Sequence, residues 1–192
     1  MITTNTKNVM IVGVGGQGSL LASKLMGNAL LAKGYDVKVS EVHGMAQRGG
    51  SVVTYVRYGE KVYSPVIDEG SADVIIAFEK LEALRWIPFL KKGGAVIMND
   101  QRIDPMPVVI GAAVYPENIE QSIKEMDIKI ESLDALSLAI EAGAAKAANV
   151  VLLGRMSKHL DITRDEWHEA IRNCVPKKFT DENIKAFNKG AN

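Results

Sequence analysis

The stretch Val9-Met-Ile-Val-Gly-Val-Gly-Gly-Gln-Gly18 feeds an apolar run into a glycine turn, and Ser19-Leu-Leu-Ala-Ser-Lys-Leu-Met26 continues it as an amphipathic helix. Gly13, Gly15 and Gly18 have the spacing G-x-G-x-x-G, with Gly16 and Gln17 inside it. In a phosphate-binding turn the first glycine permits a tight bend, the second lets backbone approach the ligand, and the third lets helix pack closely on strand. Free N–H groups at the helix start then attract an anion, usually a diphosphate. Glu41 closes the next apolar run, Val37-Lys-Val-Ser, about where a dinucleotide-binding fold places its ribose-binding acid. Two readings stay open: tight strand-to-helix turns need glycine whether or not a ligand binds, and Glu41 suits an interface hydrogen bond or a cap as well as a ribose.

Beyond Glu41 stands Ser40-Glu-Val-His-Gly-Met-Ala-Gln-Arg-Gly-Gly-Ser-Val-Val53. Arg48 beside Gly49, Gly50 and Ser51 offers a guanidinium and close backbone amides, chemistry suited to a carboxylate or phosphate. The same group would serve an ion pair with a partner subunit. His43 is either a hydrogen-bonded structural histidine or a proton carrier. Gln47 can orient a ligand but carries no charge.

The composition removes several function classes. A length of 192 residues fits one domain spanning residues 1–192. The chain is 47% hydrophobic and 24% charged, and 23 basic residues balance 23 acidic ones. That balance leaves no electrostatic footprint for nucleic acid or an anionic membrane surface. No apolar stretch reaches the roughly 18 residues that a membrane span requires, and the N-terminus lacks a signal-peptide pattern, so the expected location is cytoplasmic. Cys174 is the sole cysteine, which forbids an internal disulfide, a four-thiolate iron–sulfur cluster or a cysteine-based zinc site within one chain. His43, His159 and His168 show no ligand spacing, and no metal site is expected.

The elements that must hold these residues alternate. A first helix is expected over 17–33, stopped by Gly34, and a strand over 36–41. Ser51-Val-Val-Thr-Tyr-Val-Arg57 reads as a strand, turned by Gly59-Glu toward a second strand at Lys61-Val-Tyr-Ser64. That pair predicts an antiparallel hairpin at a sheet edge. Residues 73–78 form a buried strand and 81–90 a helix shortened or kinked at Pro88. Strands follow at 95–98 and, more weakly, at Val108-Val-Ile110, then a helix over 117–126 and a strand at 128–130. The Ala- and Leu-rich stretch 133–160 suits one buried helix, or two meeting near Gly143 or Gly154. Thr163-Arg-Asp-Glu166 is a capping box that starts a helix, and Thr180-Asp-Glu begins a last short one. The fold class is α/β: a single doubly wound, Rossmann-like, mostly parallel sheet with an antiparallel edge hairpin.

The His43–Ser51 loop, taken with Gly13-Val-Gly-Gly-Gln-Gly18, resembles the gamma domain of 2-oxoacid:ferredoxin oxidoreductases, and within that superfamily the beta subunit of the indolepyruvate enzymes. Tyr63-Ser-Pro65, Ala77-Phe-Glu79 with Glu82-Ala-Leu-Arg85, Tyr115-Pro116 and Asn149-x-x-x-Leu-Gly154 are similar to family positions as well. The resemblance implies one part of an enzyme that converts an aryl 2-oxoacid, coenzyme A and oxidised ferredoxin to an aryl-acetyl-CoA, carbon dioxide and reduced ferredoxin. It places thiamine diphosphate, Mg and [4Fe-4S] clusters in a larger alpha subunit and none of them in this chain. It also implies that subunit and, through the complex, ferredoxin as partners, with a homodimer as the option for the isolated chain. No Gly-Asp-Gly magnesium and diphosphate motif occurs here. A free-standing NAD-dependent oxidoreductase, or a nucleotide-sensing binding protein, is the alternative that the glycine turn and Glu41 would support.

Overall fold

The structure is a computed structural model and describes residues 6–43 and 50–192, with only the backbone of His43. Six strands form one sheet: β1 (Lys7–Val14), β2 (Asp36–His43), β3 (Ser51–Gly59), β4 (Ala72–Ala77), β5 (Leu90–Asn99) and β6 (Lys129–Leu133), in the order β2-β3-β1-β4-β5-β6. β1, β4, β5 and β6 pair in parallel. β3 runs against both neighbours, from Lys7↔Tyr58 to Val14↔Ser51 along β1 and from Asp36↔Gly59 to His43↔Val52 along β2.

Helices cover both faces. They are α1 (Ser19–Ala32), α2 (Lys80–Trp86), α3 (Met106–Val109), α4 (Ile119–Glu125), α5 (Ala135–Glu141), α6 (Ala148–Met156), α7 (Arg164–Cys174) and α8 (Thr180–Ala191). Alternation along β1 shows the division. Val9 and Ile11 join α1, α5, α6, α7 and α8 in one apolar core, whereas Met10 and Val12 face Ala83 of α2 and Ile119 and Ile123 of α4 in the other. All four β1 side chains have no exposed surface, as expected for a central strand covered on both sides.

Local chemistry sets most boundaries. Gly18 opens α1 in the left-handed region (φ 86), and Gly34 (φ 91) closes it while Tyr35 N–H donates to the Leu30 carbonyl. The 133–160 stretch divides at Gly143 (φ 81), giving α5 and α6. α7 begins with the full capping box of Thr163 and Glu166. The helix that starts at Lys80 passes into a 3-10 turn, Ile87–Phe89, at Pro88, because proline cannot donate to the preceding turn.

Antiparallel pairing lies at one edge as expected, but its partner differs. Residues 61–64 are not a strand, and β2 is the strand that pairs with β3. The reason lies in two side chains that take the backbone groups a ladder would use. Asp36 accepts the Val62 N–H at 2.9 Å, and Arg57 donates to the carbonyls of Ser64 (3.0 Å) and Val66 (2.7 Å). Val108-Val-Ile110, expected as a weak strand, is helical from Met106 to Val109. Pro107 has no N–H for a ladder and suits a first helical turn, overriding the β-branched composition. α8 runs twelve residues rather than being short.

α8 packs on α6 backbone to backbone. A Cβ added at Gly154 would overlap the Phe187 carbonyl oxygen, and one at Gly190 would overlap that of Val151. Gly154→Ala should therefore separate the two helices and lower the unfolding free energy by about 1–3 kcal/mol, read from urea denaturation. An unchanged midpoint would show that the contact is not constrained.

Candidate functional site

The glycine turn sits at the carboxyl end of β1, where the chain goes to β2 on one side of β1 and later to β4 on the other. This crevice is the usual ligand position in open α/β sheets. Here the chain's own amides occupy much of it. Gln17 Oε1 accepts the Val14 N–H at 2.7 Å, and Gln17 Nε2 donates to the Phe78 carbonyl (2.9 Å) and to Gln101 Oε1 (3.0 Å). A Cβ at Gly13 would lie 2.7 Å from Gln17 Oε1 and 3.0 Å from the Phe78 Cβ. At Gly18 it would lie 2.6 Å from Asn149 Nδ2, which donates to the Gly18 carbonyl at 3.1 Å. Two glycines of the fingerprint thus make room for side chains of this protein. Gly15 donates its N–H to the Gly50 carbonyl at 2.9 Å, so that donor is not offered to a ligand. Gly16 (φ 98) faces open space.

Beside the turn lies a cavity of about 250 Å³. Gln17, Asn99, Gln101 and Asn149 contribute amides, Phe78, Leu136 and Leu152 contribute apolar wall, and Lys146 contributes a cation. Asn99 is buried at the end of β5. Its Oδ1 accepts the Ala135 N–H at 3.1 Å, and its Nδ2 donates to the Phe78 carbonyl (3.2 Å) and Gln101 Oε1 (3.0 Å).

On the other face, two buried carboxylates of the β4–α2 junction fix the neighbouring segments. Glu79 caps α2 by accepting the Glu82 N–H at 3.0 Å, and accepts from Ile103 N–H and the Tyr115 hydroxyl. Burial first, then the bond to Glu79, pushes the Tyr115 hydroxyl well above its ordinary range, so it remains a donor at neutral pH. Glu82 accepts from Ser51 Oγ, from Arg85 Nε at 3.0 Å and from Trp86 Nε1 at 3.2 Å. A larger cavity of about 370 Å³ beside Tyr115 is lined by Lys80 and Arg102. Both cations are already paired there, with Asp100 (2.8 Å) and Asp104 (2.6 Å).

The structure brings Gly13, Gly15, Gly16, Gln17, Gly18, Gly50 and Ser51 together. Glu41 lies elsewhere: it pairs with Thr54 of β3, whose hydroxyl donates to it at 3.1 Å. In a dinucleotide-binding fold that acid's strand adjoins the glycine strand, but here β3 intervenes and moves β2 away by one more strand spacing, roughly 5 Å. His43 ends β2 opposite Val52. Gln47, Arg48 and Gly49 lie outside the described residues. Sequence reading missed Asn99, Gln101 and Lys146, although a polar residue directly after a buried strand, as Asn99 is, marks the carboxyl edge where such sheets bind ligands.

Gln17→Glu tests the bracket on the turn. The substitution removes the donor to Phe78 and Gln101 and places a carboxylate against two acceptors. We expect a loss of about 1–3 kcal/mol at pH 7, shrinking as pH falls toward about 4–5, where a protonated glutamate regains a donor. Urea denaturation across that pH range reads both effects, and a pH-independent deficit would contradict the assignment of donors.

The family model for pyruvate ferredoxin/flavodoxin oxidoreductase matches residues 8–192. The chain is 48% identical over 188 residues to the indolepyruvate oxidoreductase subunit IorB of Pyrococcus horikoshii, covering 95% of this chain and 93% of that one. It is 41% identical over 189 residues to the protein of the same name from Archaeoglobus fulgidus, covering 96% and 94%. Among solved structures, the gamma subunit of a keto/oxoacid ferredoxin oxidoreductase from Geobacter sulfurreducens superposes with a TM-score of 0.69 at 23% identity, covering 96% of this chain and 95% of that one. With its glycine turn, its mixed sheet and these relatives spanning nearly its whole length, the chain belongs to the pyruvate ferredoxin/flavodoxin oxidoreductase family.

Proposed function

We propose that this chain is the small subunit of an indolepyruvate-type 2-oxoacid:ferredoxin oxidoreductase, acting as one domain in the oxidative decarboxylation of aryl 2-oxoacids to aryl-acetyl-CoA with reduction of ferredoxin. The similarity to the IorB subunits over nearly the full length carries this reading. It does not favour the free-standing NAD-dependent enzyme, and the displacement of Glu41 from the glycine strand argues the same way.

The residues of this chain do not fit the redox and thiamine cofactors. Cys174 is the sole cysteine, and among the described residues no group of three or more His, Cys, Asp or Glu could hold a metal ion. Thiamine diphosphate, Mg and [4Fe-4S] clusters are therefore assigned to the alpha subunit, and CoA enters as co-substrate. No helix among the described residues is long and apolar enough to cross a membrane, and we assign the complex to the cytoplasm. In it, the described part of this chain contributes a braced surface. Gln17 and Asn149 stiffen the turn, Glu82 holds Ser51, and Gly15 holds Gly50. We assign Arg48 the role of meeting a CoA phosphate or a substrate carboxylate, with help from Gly16, Gly18 and the first-turn N–H groups of α1.

The purified chain alone should be colourless and inactive with indolepyruvate, CoA and an electron acceptor, and should gain activity on mixing with the alpha subunit. Turnover by the chain without a partner would refute the subunit reading. NAD should bind weakly or not at all in calorimetry. Micromolar affinity, about −8 kcal/mol, would restore the dehydrogenase reading.

Arg48→Lys keeps the charge but loses the planar two-pronged donor. A charged hydrogen bond is worth roughly 1.5–3 kcal/mol, so kcat/KM of the assembled enzyme should fall by at least about tenfold with assembly intact. Unchanged kinetics, or failure to bind alpha, would assign Arg48 to the interface instead.

A further inference from the structure

The amides beside the turn form a chain whose orientation is set by the backbone. A backbone N–H can only donate. The Val14 N–H therefore fixes which end of the Gln17 amide is oxygen, and the Ala135 N–H does the same for Asn99. Each amide must then present its NH2 group, and both NH2 groups converge on Gln101 Oε1 at 3.0 Å. With its oxygen taken twice, Gln101 is fixed as well, and its own NH2 is left for the cavity it lines. No described residue accepts from that NH2, and none pairs with Lys146 at the same cavity. The remaining wall is apolar: Phe78, Leu136 and Leu152, with Ala145 and Ala148.

We propose that this cavity binds a small carboxylate carried on an apolar body, with the acid group on the Gln101 NH2 and the Lys146 ammonium and the body against Phe78, Leu136 and Leu152. An unpaired amide donor beside a free cation calls for a charged acceptor, whereas a bare inorganic anion would leave the apolar wall unused. The cavity of about 250 Å³ holds the equivalent of about eight waters at ~30 Å³ each, room for one ring with a short acid arm. The site lies on this chain alone, so its occupation is independent of the cofactors assigned to the partner.

The test is titration of the full 192-residue chain with phenylacetate, followed by calorimetry or by amide NMR shifts, with phenylacetamide and inorganic phosphate as comparison probes. Saturable binding of phenylacetate is expected, at least tenfold tighter than either comparison probe. Gln101→Glu keeps the acceptor for Gln17 and Asn99 while removing both N–H donors, and should weaken phenylacetate at least tenfold. Lys146→Met changes an exposed side chain and should weaken it several-fold, which keeps the proposal testable should the first variant fold poorly. Equal binding of phenylacetamide would remove the carboxylate from the proposal, and equal binding of phosphate would remove the apolar body. Either result, absence of saturable binding, or Lys146→Met with unchanged affinity overturns it.

Discussion

The antiparallel insertion of β3 between β1 and β2 governs the arrangement at the carboxyl end of the sheet. Its eight-residue register with β1 brings Ser51 level with Val14 and delivers the Gly50 carbonyl to the Gly15 N–H. Ser51 then reaches Glu82 across the sheet edge. The strand after the turn helix is displaced outward in the same stroke, carrying Glu41 from the glycine strand to a partner on β3. A glycine fingerprint and an acid at dinucleotide spacing are thereby separated by topology. What would be one ligand site in a parallel βαβ unit is here a structural turn and an edge-strand pair.

The turn itself is closed by side-chain amides. Gln17 reaches back over Gly13, and Asn149 of α6 reaches in over Gly18. Both require the absence of a Cβ, so the glycines are explained without a diphosphate. Because the donors and acceptors of Gln17 and Asn99 are assigned by backbone groups, the network has one orientation only. Buried polar networks of this kind specify a single arrangement when every member is satisfied, and the one group left over, the Gln101 NH2, marks where the surface still has bonding capacity.

A second set of contacts holds the opposite layer. Glu79 and Glu82 are both buried, yet each accepts at least three hydrogen bonds, which offsets the cost of taking a carboxylate out of water. Through them α2 links β4, the segment at Ile103, Tyr115 and the start of β3. The root of the 43–51 loop is thus tied to the glycine turn on one side and to α2 on the other. That explains why a family resemblance carried by separated short motifs, at 13–18, 40–53, 77–85 and 115–116, corresponds to contiguous structure.

The sequence by itself determined the alternation of strands and helices, both glycine stops of α1 and α5, the capping box of α7 and the family, because these depend on local backbone preferences, apolar period and residue spacing. It also determined that one cysteine cannot ligate a cluster. Strand partners were decided only by the tertiary structure. Nothing local to 61–64 announces that Asp36 and Arg57 will take its backbone groups, and a β-branched run at 108–110 does not reveal that its prolines favour a helical turn. The same holds for the candidate cavity. Asn99, Gln101 and Lys146 come from the end of β5, the segment after it and the turn before α6, and amides carry no sequence signal of their own. They acquire a role only when the carboxyl ends of neighbouring strands bring them to one place and backbone donors orient them.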